Sequence, residues 1–296
     1  MTSPFTGFQL SAALQGWVKR NMICKSRRDG RDRLTACAGA PILLKTSLFA
    51  TLLLSICVSA QEITVAAAAD LSTALPEIVA AYTKHIGQPV KLTFGSSGNL
   101  TNQIENGAPF DVFFSADENY PARLIEKRLA QKDSLYHYAV GRLVLWIPNE
   151  LPLDLQKLGM QALLDPSIKK IAIANPLHAP YGRAAEAALK HFGVYDQIAP
   201  KLVLGENISQ AAQFVESGNA QAGLIALSHA LSPALKDKGH YWTVPLDAYP
   251  TLNQAAVVLS KSKNADSARK FLDFVRSPEG TSLLKNYGFS LPTEKH

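Results

Sequence analysis

From residue 62 onward the chain repeats one unit: a short apolar strand, a turn of small polar residues, then an amphipathic helix. This switching between a period of 2 and a period of 3.6 restricts the fold to the α/β class, with largely parallel sheets covered by helices. Residues 62–68 read as the first strand, and Asp70 stands at a cap position before the helical spacing Leu71, Leu75, Ile78, Val79, Tyr82. The second unit is the most informative. Val90, Leu92 and Phe94 alternate, the strand breaks at Gly95, and Leu100 and Ile104 then take up a helical period. Ser96 or Ser97 is the expected helix N-cap, with free backbone N–H groups and the positive end of the helix dipole beyond it. Such a corner holds an anion without lysine or arginine. A third strand over residues 111–116 follows the turn at 106–109 and leads through Asp117 into a helix around 124–129.

The pattern then restarts. Residues 142–147, 171–174, 201–204 and 223–227 read as strands. The turn 178–182 opens a helix over 183–192, and Gly205, Glu206 and Asn207 precede another over 208–216. Near residues 242–245 the chain leaves this block. Residues 253–259 form a strand able to rejoin the first sheet, and two amphipathic segments, 265–275 and 280–287, follow. The expected organisation is two lobes joined by crossing strands: residues 61–141 with 246–296, and residues 142–245. A cleft between lobes is a common place for a small ligand. Four strand-to-helix corners are candidates to line it: Asp70, Ser96 with Ser97, Tyr181 with Gly182, and Asn207 with Ile208. Four donor-rich corners with no cationic cluster suit a small dehydrated anion held by neutral hydrogen bonds.

The charge balance agrees. Of 30 Lys and Arg, eight fall in residues 1–60 against two of the 24 acidic residues, so the net charge of +6 sits there and 22 of each sign cancel elsewhere. A neutral body argues against a nucleic-acid partner. Residues 1–60 read as a leader: a polar extension, Lys45, an apolar run over 48–58, and small residues at Val58, Ser59 and Ala60 before a cleavage site after Ala60. The run is short for a membrane span, and Ile56 before Cys57 is bulky for a lipidation signal. Cys24, Cys37 and Cys57 all fall in this leader, so the exported part carries no thiol or disulfide.

Several stretches resemble the periplasmic molybdate-binding proteins, the substrate-binding subunits of molybdate ABC transporters. They are Ala67-Ala68-Ala69-Asp70-Leu71, the corner Gly95-Ser96-Ser97-Gly98, the run from Gly107 through Asp111 to Asp117, the segment Asn175 to Gly182, and Tyr287-Gly288-Phe289. The resemblance spans residues 62–290. It implies a two-lobed periplasmic-binding-protein fold of type II, each lobe a mostly parallel sheet flanked by helices, closing on molybdate or tungstate. It implies a periplasmic monomer that hands its ligand to a membrane permease, with no cofactor and no covalent chemistry. By position, the ligand-binding residues are Asp70, Ser97 (hydroxyl and amide) and the backbone N–H groups of Tyr181 and Ile208, with the Tyr181 phenol as a further donor. Ser96, Gly98, Gly182, Arg183 and Asn207 stand behind them. The only metal involved is the one inside the oxyanion, reached through its oxygens. In another subgroup a tyrosine occupies the position matched here by Ala226, which cannot donate.

Asp70 departs from the family, which commonly has serine or asparagine there. An ionised carboxylate only accepts hydrogen bonds and repels a dianion. Three arrangements are open: Asp70 turned away to cap its own helix, Asp70 paired with Arg183, or Asp70 accepting a proton carried by the ligand. If the carboxylate faces the site, Asp70→Asn is expected to raise molybdate affinity. The alternative ligands are phosphate, sulfate or a small organic acid. A hydrolase is disfavoured because Asn99 replaces the last glycine of a nucleophile elbow, with His178 and His229 read as loop or surface residues. Trp146 and Trp242 are read as packing residues. A metal-cation site is disfavoured because the seven histidines lack ligand spacing.

Overall fold

The computed structural model describes residues 62–292; the leader expected over 1–60, with its three cysteines, lies outside them. In chain order the strands and helices are β1 (Ile63–Ala68), α1 (Leu75–Ile86), β2 (Val90–Gly95), α2 (Ser97–Glu105), β3 (Val112–Ser115), α3 (Asn119–Glu126), β4 (Tyr136–Gly141), β5 (Leu143–Pro148) and α4 (Leu155–Leu158). They continue with β6 (Ile171–Ala174), α5 (Pro180–His191), α6 (Tyr195–Ile198), β7 (Leu202–Gly205), α7 (Ile208–Glu216), β8 (Ala222–Ala226), α8 (Leu227–Ala230), β9 (Gly239–Thr243), β10 (Leu252–Val258), α9 (Ala265–Arg276) and α10 (Pro278–Asn286).

Two five-stranded sheets result, in the orders β2-β1-β3-β10-β4 and β7-β6-β8-β5-β9. The pairings repeat. β1 is parallel to β2 and β3, while β10 runs antiparallel between β3 and β4. In the second sheet β6 is parallel to β7 and β8, while β5 runs antiparallel between β8 and β9. In each sheet the one reversed strand is the one that enters from the other half of the chain. The first crossing is a single residue, Arg142, between β4 and β5; the second is residues 244–251. Tyr249 fastens the two together, since its Oη accepts from the Leu143 N–H at 3.2 Å.

Burial explains why β1 and β3 of the first sheet are largely apolar without alternation. Val65 and Ala67 of β1, with Val112 and Phe114 of β3, pack under α1, α9 and α10. The intervening Ala66 and Phe113 pack under α2 and α3 through Leu100, Ile104 and Leu124. A strand covered on both faces keeps no polar register. The second sheet is sealed by its own core around Leu145, Trp146, Ile171 and Ile225. Trp242 packs edge-on against Phe192 at 5.7 Å, so both tryptophans serve packing.

Asp111 anchors the outer end of the first sheet. It accepts from the Thr64 N–H at 2.8 Å, the Thr64 hydroxyl at 2.9 Å and the Ser262 hydroxyl at 2.7 Å. Burial works to raise this carboxyl, but these donors and Asn264 outweigh it and hold the group below its ordinary value. Asp111→Ala removes the acceptor of three part-buried donors and is expected to cost about 2–3 kcal/mol in urea unfolding at neutral pH. Because the folded value is lowered, the wild-type advantage is present above the ordinary value of 3.8 and fades as pH falls through the folded value.

Candidate functional site

The four corners meet. Asp70, Ser96, Ser97, Tyr181, Asn207 and Ile208 line one small pocket, together with alanines, Pro180 and Gly95. No lysine or arginine lines it. A larger cavity of about 320 Å3 lies elsewhere, beside Asp111 and Pro109. The Thr64 and Asp111 groups on its wall bond each other.

Each corner has a local cause. Ser96 is the N-cap of α2, in extended conformation with its Oγ accepting from the Asn99 N–H at 3.4 Å. Ser97 opens the helix and is fully buried; its Oγ accepts from the Ala116 N–H at 3.0 Å, which leaves the hydroxyl proton to donate. Pro180 starts α5, where its missing N–H is no loss, and Tyr181 follows. Gly182 is required there, since a Cβ would meet the Asn175 carbonyl carbon and the Pro176 nitrogen, each at 2.8 Å. Asn207 caps α7 by accepting from the Gln210 N–H at 3.1 Å, placing Ile208 first in that helix.

Asp70 differs from expectation. It lies in a 3-10 turn, Ala69–Leu71, that has no side-chain cap, and α1 begins only at Leu75 with Ala74 at its N-cap. The intervening turn breaks the spacing that made Asp70 look like a cap. Nor does it pair with Arg183, whose guanidinium crosses instead to Asp117 at 2.6 Å and to the Tyr120 hydroxyl at 3.1 Å. Asp70 is fully buried, and its Oδ2 accepts from Gln254 Nε2 at 2.6 Å. Its Oδ1 makes no hydrogen bond. Burial pushes the carboxyl up to about 6; Gln254, the nearby Tyr181 phenol and the amides of Asp70 and Leu71 pull weakly the other way. The Tyr181 phenol, raised well above its ordinary value by burial and by Asp70, stays neutral and stands 3.4 Å from Gln254 Nε2.

Gln254 was not legible as a site residue, although a glutamine beside the apolar run Ala255 to Val258 was a signal. Tyr138 donates to its Oε1 at 2.7 Å, which turns Nε2 toward Asp70. His229 also departs from expectation, whereas His178 is a loop residue in the turn before α5. His229 is buried, its Nε2 lies 2.9 Å from the Ser209 hydroxyl and 3.2 Å from that of Ser72, and burial lowers it to about 4. His178 sits at the pocket rim with Nδ1 3.0 Å from Ser96 Oγ. Its carbonyl accepts from the Gly98 N–H at 3.0 Å. Ser228 donates to the Asp70 carbonyl at 2.7 Å. These contacts join elements of the first sheet to elements of the second directly around the pocket.

The sequence matches the family model for bacterial extracellular solute-binding proteins over residues 63–290. It is 38% identical to the molybdate-binding protein ModA of Rhodobacter capsulatus over 244 residues, covering 82% of this chain and 94% of that one. It is likewise 38% identical to ModA of Azotobacter vinelandii over 239 residues, covering 81% and 94%. Among solved structures it resembles the Azotobacter vinelandii periplasmic molybdate-binding protein, with a TM-score of 0.73 and 32% identity over 78% of this chain and all of that one. These relatives are binding proteins and not enzymes. The chain belongs to the bacterial extracellular solute-binding proteins, and among them to the ModA family.

Proposed function

We propose that this protein captures molybdate, and with it tungstate, in the pocket between its two sheets and delivers it to the permease of an ABC transporter. The observation that carries this is the meeting of three helix N-termini and the Asp70 turn on one small pocket that no lysine or arginine among the described residues lines. The N–H groups of α2, α5 and α7 point toward their own N-termini, and three dipoles converge there. In this reading Ser97 donates through hydroxyl and amide, Tyr181 and Ile208 through their amides, and Asp70 contacts the anion directly. Ser96, Gly98, Gly182, Arg183 and Asn207 hold those corners in place. Residues 61–141 with 246–296 form one lobe, residues 142–245 the other, and opening at residue 142 and residues 244–251 releases the ligand. Residues 1–60 act as a leader cleaved after Ala60, and the mature protein works as a periplasmic monomer.

A second reading, another anion such as phosphate or sulfate, is favoured by one observation: a carboxylate lies on the pocket wall. At about 4 Å and an effective dielectric near 20, each unit of anion charge against an ionised carboxylate costs about 4 kcal/mol. An anion that brings its own proton lowers that cost. Calorimetric titration of the purified protein with molybdate, tungstate, sulfate and phosphate separates the two. Tight binding of molybdate and tungstate alone supports the first reading, and preference for phosphate replaces it with the second.

A further inference from the structure

We infer that the pocket binds its oxyanion together with one proton drawn from solvent, held on Asp70 Oδ1, which turns an acceptor into a hydroxyl donor to the anion. This rests on reading the pocket as an oxyanion site. It differs from a ligand that arrives already protonated, because here the dianion is the free species and the protein collects the proton.

The geometry singles out one oxygen. Tyr138 donates to Gln254 Oε1 at 2.7 Å, so Gln254 presents Nε2 to the carboxylate. That donor occupies Oδ2 at 2.6 Å. Oδ1 is fully buried and has no hydrogen-bond partner, and the residue that carries it lines the pocket. A buried carboxylate oxygen without a donor is costly when charged and satisfied when it carries a proton directed at an acceptor. An oxyanion supplies that acceptor.

Among the described residues, the groups that act on the Asp70 carboxyl are Gln254, the Tyr181 phenol and two backbone amides, all uncharged. Arg183 of α5 is committed to Asp117 and Tyr120. The phenols of Tyr138, Tyr181 and Tyr249 are all raised by burial and stay neutral. His229 of α8 is lowered to about 4, so it too is neutral. From the α7 side the acidic groups are Glu206, which bonds Asn99 across the rim, and Glu216 at the far end of the helix, paired with Lys238. His178 lies at the rim against Ser96 and Glu206. Burial already lifts Asp70 to about 6. A dianion beside it lifts the group further, so above that pH each binding event takes up a proton.

The test is calorimetric titration of tungstate into the whole protein at about pH 8, in Tris and in Hepes, whose ionisation heats differ. The buffer dependence of the binding heat is expected to report about one proton taken up per anion, falling toward zero at about pH 5, and affinity is expected to drop about tenfold per pH unit above about 6. Asp70→Asn is expected to abolish the uptake, flatten the pH profile and bind more tightly than wild type at pH 8. His178→Gln, which removes the rim imidazole, is expected to retain the uptake. Binding with no proton uptake by wild type, or uptake lost in His178→Gln and kept in Asp70→Asn, overturns the inference. Should Asp70→Asn not fold, the wild-type uptake and its pH profile with the His178→Gln control decide the matter. No heat with tungstate, molybdate, sulfate or phosphate removes the oxyanion reading and this inference together, whereas binding without uptake removes only the inference.

Discussion

Gly98→Ala is expected to weaken oxyanion binding by about 5- to 150-fold while leaving the fold as stable as before or slightly more so. Gly98 is inside α2, where it carries no left-handed backbone requirement, and alanine is the better helix residue by up to about 1 kcal/mol. Within its own half of the molecule the substitution is therefore harmless. The obstacle lies across the pocket. A Cβ at residue 98 would stand 2.7 Å from the His178 carbonyl oxygen and 3.0 Å from the His178 Cα and Cβ. Two of those three atoms are backbone of the turn that leads into α5, so a rotamer change cannot clear the way. The same approach carries the Gly98 N–H to His178 carbonyl hydrogen bond at 3.0 Å. Overpacking of this kind costs about 1–3 kcal/mol, which converts to the affinity range above. Because the clash exists only where the two halves meet, it is paid on closure and not on folding. Thermal unfolding without ligand and calorimetric affinity, measured on the same preparation, should move in opposite directions. A parallel loss of both would mean that Gly98 serves the fold of its own helix instead.

Asp70→Asn is expected to stabilise the ligand-free protein by up to about 3 kcal/mol above about pH 7, with the gain vanishing toward about pH 4. The folded carboxyl is raised to about 6 from an ordinary value of 3.8, and one pKa unit corresponds to about 1.4 kcal/mol. For an acid raised on folding, the native state binds the proton more tightly than the unfolded chain. Stability is thus highest below 3.8, declines as pH rises through the window between the two values, and stays low above the folded value. An asparagine never ionises. It keeps a carbonyl oxygen for Gln254 Nε2 and turns its own NH2 toward the pocket, so little is lost in exchange. For a domain of this size the difference amounts to about 5–10 °C in Tm at pH 8. Equal melting temperatures across the pH range would show that the carboxylate is as well satisfied as any surface acid. The comparison is made without ligand, so it is independent of which anion the pocket takes.

Both predictions concern residues that a stable fold alone would not select. A serine or asparagine at residue 70 would avoid the desolvation of a buried carboxylate, and alanine at 98 would favour the helix. Sites that bind commonly carry such local costs, offset by the stability of the surrounding sheets.

How much was legible in the sequence follows from how local each signal is. The alternating units, the Ser96 and Asn207 caps and the return of the chain near residues 252–258 to the first sheet all rest on interactions within a few residues or on strand hydrophobicity. They could be read directly, whereas the helix expected from residue 183 begins at Pro180. The resemblance to molybdate-binding proteins was carried by contiguous runs such as residues 107–117, which a single chain also displays. Strands β4 and β9 were missed. In β4 the run Tyr136, His137, Tyr138 mixes polar and aromatic residues, and β9 begins at Gly239 and carries His240, Tyr241 and Trp242; neither shows a clean period of 2. Each is an edge strand, with the reversed strand of its sheet as sole neighbour, so burial on both faces does not enforce an apolar pattern.

What the sequence determined by itself was the class of fold and the corners at Ser96, Tyr181 and Asn207, because capping and dipole effects act over one helical turn; at Asp70 the expected cap is replaced by a 3-10 turn. What only the tertiary structure decided was the environment of those corners. Asp70 meets Gln254 184 residues later, Gly98 meets His178, and Arg183 crosses to Asp117 rather than to Asp70. Those pairings depend on how two sheets are set against each other. The proton affinity of a carboxyl depends on whatever ends up within a few ångströms of it, which no window along the chain contains.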